Sequence, residues 1–304
     1  MNRALGDTEM TSTSRDITVP EEEREREAQG EWGGKTQGVG NYADVNGIKL
    51  YYEVQGTGHP LILLHGGLGA ISMFGPNLPA LAQGRQVIAV DLQGHGRTAD
   101  IDRPISAELM AGDIAALIKH LKLDRPDVMG YSMGGGVAMF LAVRHPELVR
   151  KVVLVSTYLK RTSVYPELLA QQAQVGPEMA EAMKQTPMYQ LYASIAPRVE
   201  DWPRLLGKMG AMMKEDFDYS KELSSIKAPT LIVAGDAELF PPSHAVEMFE
   251  LLGGGKRDGG WDGAGISNAR LAILPGVTHY AMGLAPALAP TVARFLDEPA
   301  PKGQ

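Results

Sequence analysis

From Tyr42 onward the chain carries a series of short, continuous apolar runs: PLILLH, QVIAVD, PDVMGYS, KVVLVS, PTLIVAG and RLAILPG. Unbroken runs of this kind suit strands covered on both faces, whereas a half-exposed strand alternates apolar and polar positions. Between several of them the apolar positions fall at helical spacing instead, as in SAELMAGDIAALIKHLKL and GGGVAMFLAVRHPELV. Alternation of buried strands with helices predicts a mostly parallel α/β sheet. Ahead of the first run, YADV and IKLYYEV flank the pair Asn46-Gly47. That pair supplies the positive φ values of a type I′ turn, so an antiparallel hairpin is expected to open the sheet.

Two intervals break this rhythm. Between KVVLVS and PTLIVAG, residues 158–225 hold helix-like stretches, with Met179 and Met183 at helical spacing and Met209, Met212 and Met213 sharing a face. This helical insertion leaves a strand at its carboxyl end, so it should rise on the side of the sheet where α/β proteins place their sites. The segment GGGKRDGGWDGAG joins a helix to the following strand. By the same logic it should emerge at the opposite edge, away from a site. The expected organisation is a mobile tail over 1–40, a core over 41–157 and 226–298, and the helical insertion over 158–225. The tail, with its run EEEREREAQGEWGG, offers almost nothing apolar to bury. Within it GEWGGKT resembles a phosphate-binding loop, but one residue is missing between Gly30 and Gly34 and a charged run stands where that loop needs a strand.

With 304 residues, 44% of them hydrophobic and 21% charged, the chain can bury one large core. Lys and Arg number 29 against 36 Asp and Glu, for a net charge of −7, and no basic run is interleaved with aromatics. This argues against a nucleic-acid or anionic-membrane surface. The absence of cysteine removes disulfides, a Cys-type zinc site and a thiol nucleophile. The start MNRALGDTEM lacks the apolar core of a signal peptide, and no apolar run approaches the roughly 18 residues of a membrane span. A cytoplasmic location is therefore expected.

The chemistry gathers at strand ends. GYSMGGG follows PDVM and opens a small-residue helix, placing Ser132 in a G-x-S-x-G pattern. In that pattern the serine occupies a sharp strand-to-helix turn and projects above the sheet, while Gly130 and Gly134 leave room where a side chain would clash. A dinucleotide-binding turn is a poorer reading, because Ser132 stands where its G-x-G needs glycine and no acid closes a following strand at the required distance. A bare helix N-cap is the bland one. HGG, residues 65–67, follows the strand PLILL. The N–H groups of Gly67 and Met133 are candidates for a two-donor oxyanion hole, with Leu68 as the other possible second donor. His65 is read as a brace for its loop.

A serine hydroxyl is a poor nucleophile near neutral pH and needs an imidazole to take its proton. Seven histidines compete. His120, His145 and His244 lie on or beside helices and are expected to be solvated, and His59 and His95 lie in loops by earlier strands. His279, in LPGVTHY, combines a strand-end loop with the chain order serine, acid, histidine.

HGG, DLQGHGRT, GYSMGG, GDAELFPP and PGVTH match, in order and approximate spacing, the signature stretches of the serine α/β-hydrolase family. The chain resembles an esterase- or lipase-like member from about Tyr42 to Leu296. The resemblance implies the α/β-hydrolase fold, a nucleophile at Ser132, a base at His279 and the insertion as a helical cap. In similar sequences the acid usually sits three residues beyond the glycine that ends its strand, which here is Glu238 rather than the commoner aspartate. Asp236 remains the alternative acid, although a short carboxylate directly after the glycine more often bonds loop N–H groups. Asp91 and Arg97 in DLQGHGRT are read as loop-holding. Relatives with dehalogenase or epoxide hydrolase chemistry carry aspartate where this chain has Ser132.

The expected activity is that of a serine carboxylesterase acting on a small to medium ester, with no metal or organic cofactor. A lactone comes next, and carbon–carbon hydrolysis and perhydrolysis use similar residues. A ligand-binding protein on a hydrolase scaffold is the reading from another class. Met residues of the insertion, with Tyr189, Tyr192 and Trp202, are expected mainly to pack it onto the core.

Overall fold

The computed structural model describes residues 38–299, so most of the expected tail, including GEWGGKT, lies outside the described residues. Strands β1 (Val39–Val45) and β2 (Ile48–Gln55) pair antiparallel about Asn46 and Gly47, whose φ values of 49° and 77° suit the expected turn. The pairing continues out to Val39 against Val54, so the hairpin begins inside the stretch assigned to the tail.

The remaining strands are β3 (His59–Leu64), β4 (Arg85–Asp91), β5 (Asp127–Tyr131), β6 (Val152–Val155), β7 (Thr230–Ala237) and β8 (Ala269–Thr278). Together they form an eight-stranded sheet in the order β1-β2-β4-β3-β5-β6-β7-β8. Pairing is antiparallel from β1 through β2 to β4 and parallel from there on. Chain order reverses at β3, so the crevice beside its carboxyl end, between β3 and β5, is the switch point where α/β sheets bind ligands.

The apolar runs are continuous because both faces of the sheet are covered. Leu61, Leu63, Val87, Ala89 and Val153 pack into one buried cluster, and Ile62, Leu64, Ile88, Val90 and Leu154 into the other. The first face receives α1 (Asn77–Ala82) and α9 (Leu288–Asp297); the second receives α2 (Ala107–His120), α3 (Met133–Arg144) and α8 (Pro242–Leu251). Helix α2 starts where the Ser106 hydroxyl accepts the Leu109 N–H at 3.2 Å, satisfying one of the donors a helix leaves unpaired at its start.

At the other end of the sheet, buried Lys151 stabilises a helix terminus. Its ammonium donates to the carbonyls of Phe295 at 2.8 Å and Leu296 at 3.1 Å, and to that of Glu298, at the carboxyl end of α9. Lys151→Met keeps the aliphatic stem but strands these acceptors. It is expected to lower the urea midpoint by the equivalent of about 1–3 kcal/mol, with little change in slope.

The long interval between β6 and β7 is helical: α4 (Pro166–Gln172), α5 (Pro187–Ile195), α6 (Trp202–Lys214) and α7 (Ser220–Ser225). Trp202 is its local core. The indole lies 5.4 Å from the Tyr189 ring and 5.1 Å from that of Tyr192, and its N–H donates to the Ala180 carbonyl at 3.3 Å. Helix α6 is tied to the loop after β4 by one buried carboxylate, Asp100, which pairs with Lys208 at 2.7 Å and Arg204 at 2.9 Å. One turn apart on α6, Leu205 faces Gly94 and Met209 faces Gly67. The insertion therefore covers the loops that leave β3 and β4. The Gly-rich segment before β8 joins α8 to the amino end of that strand, at the edge away from these loops.

Candidate active site

Strand β5 leads into a turn that only a narrow set of side chains allows. Ser132 has φ 53° and ψ −116°, a conformation L-residues rarely adopt, and its N–H donates to the Val155 carbonyl at 2.9 Å. A Cβ on Gly130 would fall 2.0 Å from the Gly134 carbonyl oxygen, and one on Gly134 would fall 2.4 Å from that of Leu64. Both bracketing glycines are thus required by close backbone approach, as the pattern predicts.

His279 follows β8, and its backbone carbonyl accepts the Tyr131 hydroxyl at 2.6 Å. This bond pins the histidine loop to the residue next to Ser132. The imidazole lies between two partners, with Nε2 3.0 Å from Ser132 Oγ and Nδ1 2.7 Å from Glu238 Oε2. A carboxylate accepts, so Nδ1 carries the proton and Nε2 is left to accept from the serine hydroxyl.

Each oxygen of buried Glu238 has two donors. Oε2 accepts from His279 and from the Leu239 N–H at 3.3 Å; Oε1 accepts from the Ser156 hydroxyl and from the Gly235 N–H at 3.3 Å. Burial by itself would raise this carboxyl. The hydrogen bond and charge of His279, with the Ser156 hydroxyl and the Gly235 N–H, outweigh it and hold the group below the usual range. Asp236 is exposed and points elsewhere, accepting the Gly276 N–H at 2.8 Å. Of the two carboxylates in GDAELFPP, the structure brings Glu238 to the imidazole and leaves Asp236 bonding a loop.

The HGG turn lies beside the serine, since a Cβ on Gly66 would come 3.4 Å from that of Ser132. The N–H groups of Gly67, Leu68 and Met133 have no protein acceptor among the described residues. Met133, the first residue of α3, is a position whose N–H lacks an intrahelical partner. Around Gly67 the surroundings are apolar: a Cβ there would fall 2.7 Å from the Met209 methyl and 3.9 Å from the Met133 sulfur.

His65 is fully buried and braces its loop. Its Nε2 accepts the Leu92 N–H at 3.0 Å, so Nδ1 carries the proton and donates to the Gly66 carbonyl at 2.7 Å. Burial pushes its pKa down to about 3, which leaves it neutral. Asp91 accepts the N–H groups of Ile71 at 2.9 Å and Arg97 at 2.8 Å, a loop-holding pattern. One histidine departs from expectation. His244 is buried rather than solvated, because its Nε2 accepts the Leu159 N–H at 3.2 Å while Nδ1 faces Glu247 at 3.0 Å. Among the described residues no cluster of His, Asp and Glu is arranged to hold a metal ion, and no helix is long and apolar enough to cross a membrane.

Two residues here escape a reading of the sequence: Tyr131, which holds the histidine loop, and Ser156, which reaches the glutamate. The one available sign of Ser156 is a hydroxyl closing the apolar run KVVLVS, at the end of the strand between those of Ser132 and Glu238.

Residues 59–188 match the sequence model of the alpha/beta hydrolase fold family. The RutD protein of Rhizobium rhizogenes is 29% identical over 230 residues, covering 67% of this chain and 86% of that protein. The non-heme haloperoxidase of Rhodococcus erythropolis is 28% identical over 260 residues, covering 77% of this chain and 90% of that one. Among solved structures, the enol-lactonase from Burkholderia xenovorans LB400 superposes with a TM-score of 0.66 at 25% identity, over 85% of this chain and 100% of the enol-lactonase. With its mixed eight-stranded sheet, its helical insertion and these matches, the chain has the alpha/beta hydrolase fold, and residues 59–188 carry that family's sequence pattern.

Proposed function

We propose that this hydrolase cleaves a small to medium carboxylic ester through an acyl-enzyme on Ser132. The observation that carries this reading is the hydrogen-bonded series from Ser132 Oγ through the His279 ring to Glu238 Oε2. His279 Nε2 takes the serine proton as Oγ attacks the ester carbonyl, and Glu238 holds the ring in the required tautomer and stabilises its charged form. The tetrahedral oxyanion is held by the N–H groups of Gly67 and Met133. His279 then protonates the departing alcohol and activates the water that cleaves the acyl-enzyme. None of these steps calls for a metal or organic cofactor.

The apolar surroundings of Gly67 support an apolar acyl group, and the helical insertion acts as the cap over it. A lactone is the second reading, favoured by the likeness to the enol-lactonase; ring opening uses the same steps, with the leaving alcohol still attached to the acyl group.

Treatment with a fluorophosphonate tests the proposal. The reagent is expected to modify the peptide carrying Ser132 and to abolish hydrolysis of p-nitrophenyl acetate in step with labelling. Hydrolysis that survives complete labelling, or no hydrolysis above the buffer rate, would sink it.

A further inference from the structure

We propose that Ser156 is a positioning residue of the catalytic series: its hydroxyl holds Oε1 of Glu238 so that Oε2 meets the Nδ1–H of His279. This inference rests on the ester-hydrolase reading of the same site. Four strands side by side, β5, β6, β7 and β8, lead in turn to Ser132, Ser156, Glu238 and His279. Three of the four have assigned roles in that reading. Ser156 is fully buried, and its hydroxyl donates to Glu238.

Glutamate makes such a partner necessary. It has one more rotatable bond than aspartate, and a carboxylate reached by that longer stem has more orientations to lose before it can serve an imidazole. Backbone donors restrict part of this freedom: Gly235 N–H on Oε1 and Leu239 N–H on Oε2, each at 3.3 Å. Both come from the chain segment of Glu238 itself and move with it. Ser156 reaches Oε1 from the end of the neighbouring strand β6, and its own N–H donates to the Val233 carbonyl of β7 at 2.8 Å, which ties the ends of the two strands together beside the carboxylate. It therefore fixes the carboxylate against β6 as well as against the chain segment of Glu238 itself.

The backbone of Ser156 is consistent with a selected position. Its φ is 49°, in the left-handed region that favours glycine or asparagine, and a serine there costs stability. The side chain supplies what glycine would lack.

The test is a double-mutant cycle on p-nitrophenyl acetate, with active-site titration to count competent chains. Ser156→Ala is expected to lower kcat about tenfold, the scale of a lost hydrogen bond to a charged group, while KM changes less than about twofold. In a Glu238→Gln background the same substitution should cost less than about twofold further, because the carboxylate through which it acts is gone. Ser156→Gly separates hydroxyl from backbone, since glycine relaxes the φ of 49° and alanine does not. Both variants should lose kcat alike while their thermal midpoints move apart. Parent kcat in Ser156→Gly, or an undiminished tenfold loss in the Glu238→Gln background, would overturn the inference and leave the hydrolase reading intact. Parent kcat in Glu238→Gln itself would overturn the acid assignment, and the inference with it.

Discussion

Ser132→Ala is expected to lower kcat/KM for p-nitrophenyl acetate by at least about 10⁴-fold while the chain stays folded. The size follows from what the substitution removes. Without Oγ there is no acyl-enzyme, and His279 Nε2 loses the hydroxyl that it faces at 3.0 Å. The oxyanion donors and the apolar wall at Gly67 remain, so a residual rate above that in water is expected, because binding and polarising the ester still help direct attack by water. Fluorophosphonate labelling should vanish in the same variant. Steady-state kinetics with a matched thermal melt check the result. A variant that retains more than about a tenth of the parent rate would show that another group performs the chemistry, and ligand binding would then become the leading account of the site.

The second large effect separates two neighbouring carboxylates. Glu238→Gln should lower kcat by about 10³–10⁴-fold, the scale seen when a serine hydrolase loses the charge behind its histidine. A glutamine amide can turn its NH₂ toward Nδ1, which forces the proton onto Nε2 and leaves no acceptor for the serine hydroxyl. Asp236→Asn should change kcat by less than about threefold, since its Oδ1 bonds the Gly276 N–H and the amide oxygen of asparagine accepts equally well. The reverse ranking would move the acid to Asp236.

Stability carries a parallel signature. The Glu238 carboxyl is held below its unfolded-state value, so its ionisation adds stability that is present in full above that value and fades as the pH falls through the folded one. Glu238→Gln removes that contribution, and a comparison of urea midpoints between neutral and acid pH reads it out.

The strands and the sharp turn at Ser132 were legible in the sequence for local reasons. A parallel strand covered on both faces must be apolar throughout, and the turn at Ser132 needs glycine at two fixed offsets, so neighbouring residues carry the signal. His279 was legible through chain order and its place after the last strand. The choice between Asp236 and Glu238 could only be weighted by resemblance, because both lie at the carboxyl end of β7, two residues apart, and what separates them is a contact with His279, 41 residues away for Glu238. Ser156 and Tyr131 left almost no trace for the same reason: their partners lie 82 and 148 residues distant in the chain. His244 was misplaced because a helix start reads as surface, whereas here the chain after β6 folds over it and brings the Leu159 N–H to its ring. The extension of β1 back to Val39 was hidden by its exposed, weakly apolar first residues.

The contorted backbone at Ser132 sets a ceiling on how far this protein can be hardened. The left-handed φ costs of order 1–3 kcal/mol and is tolerated because it presents the hydroxyl. Selection for heat resistance alone would favour glycine at that position, relaxing the turn and yielding a sturdier chain without the hydroxyl proposed as nucleophile. Under the proposed mechanism durability and turnover compete at a single residue, and any gain in endurance that preserves function must come from elsewhere in the sheet and its helices.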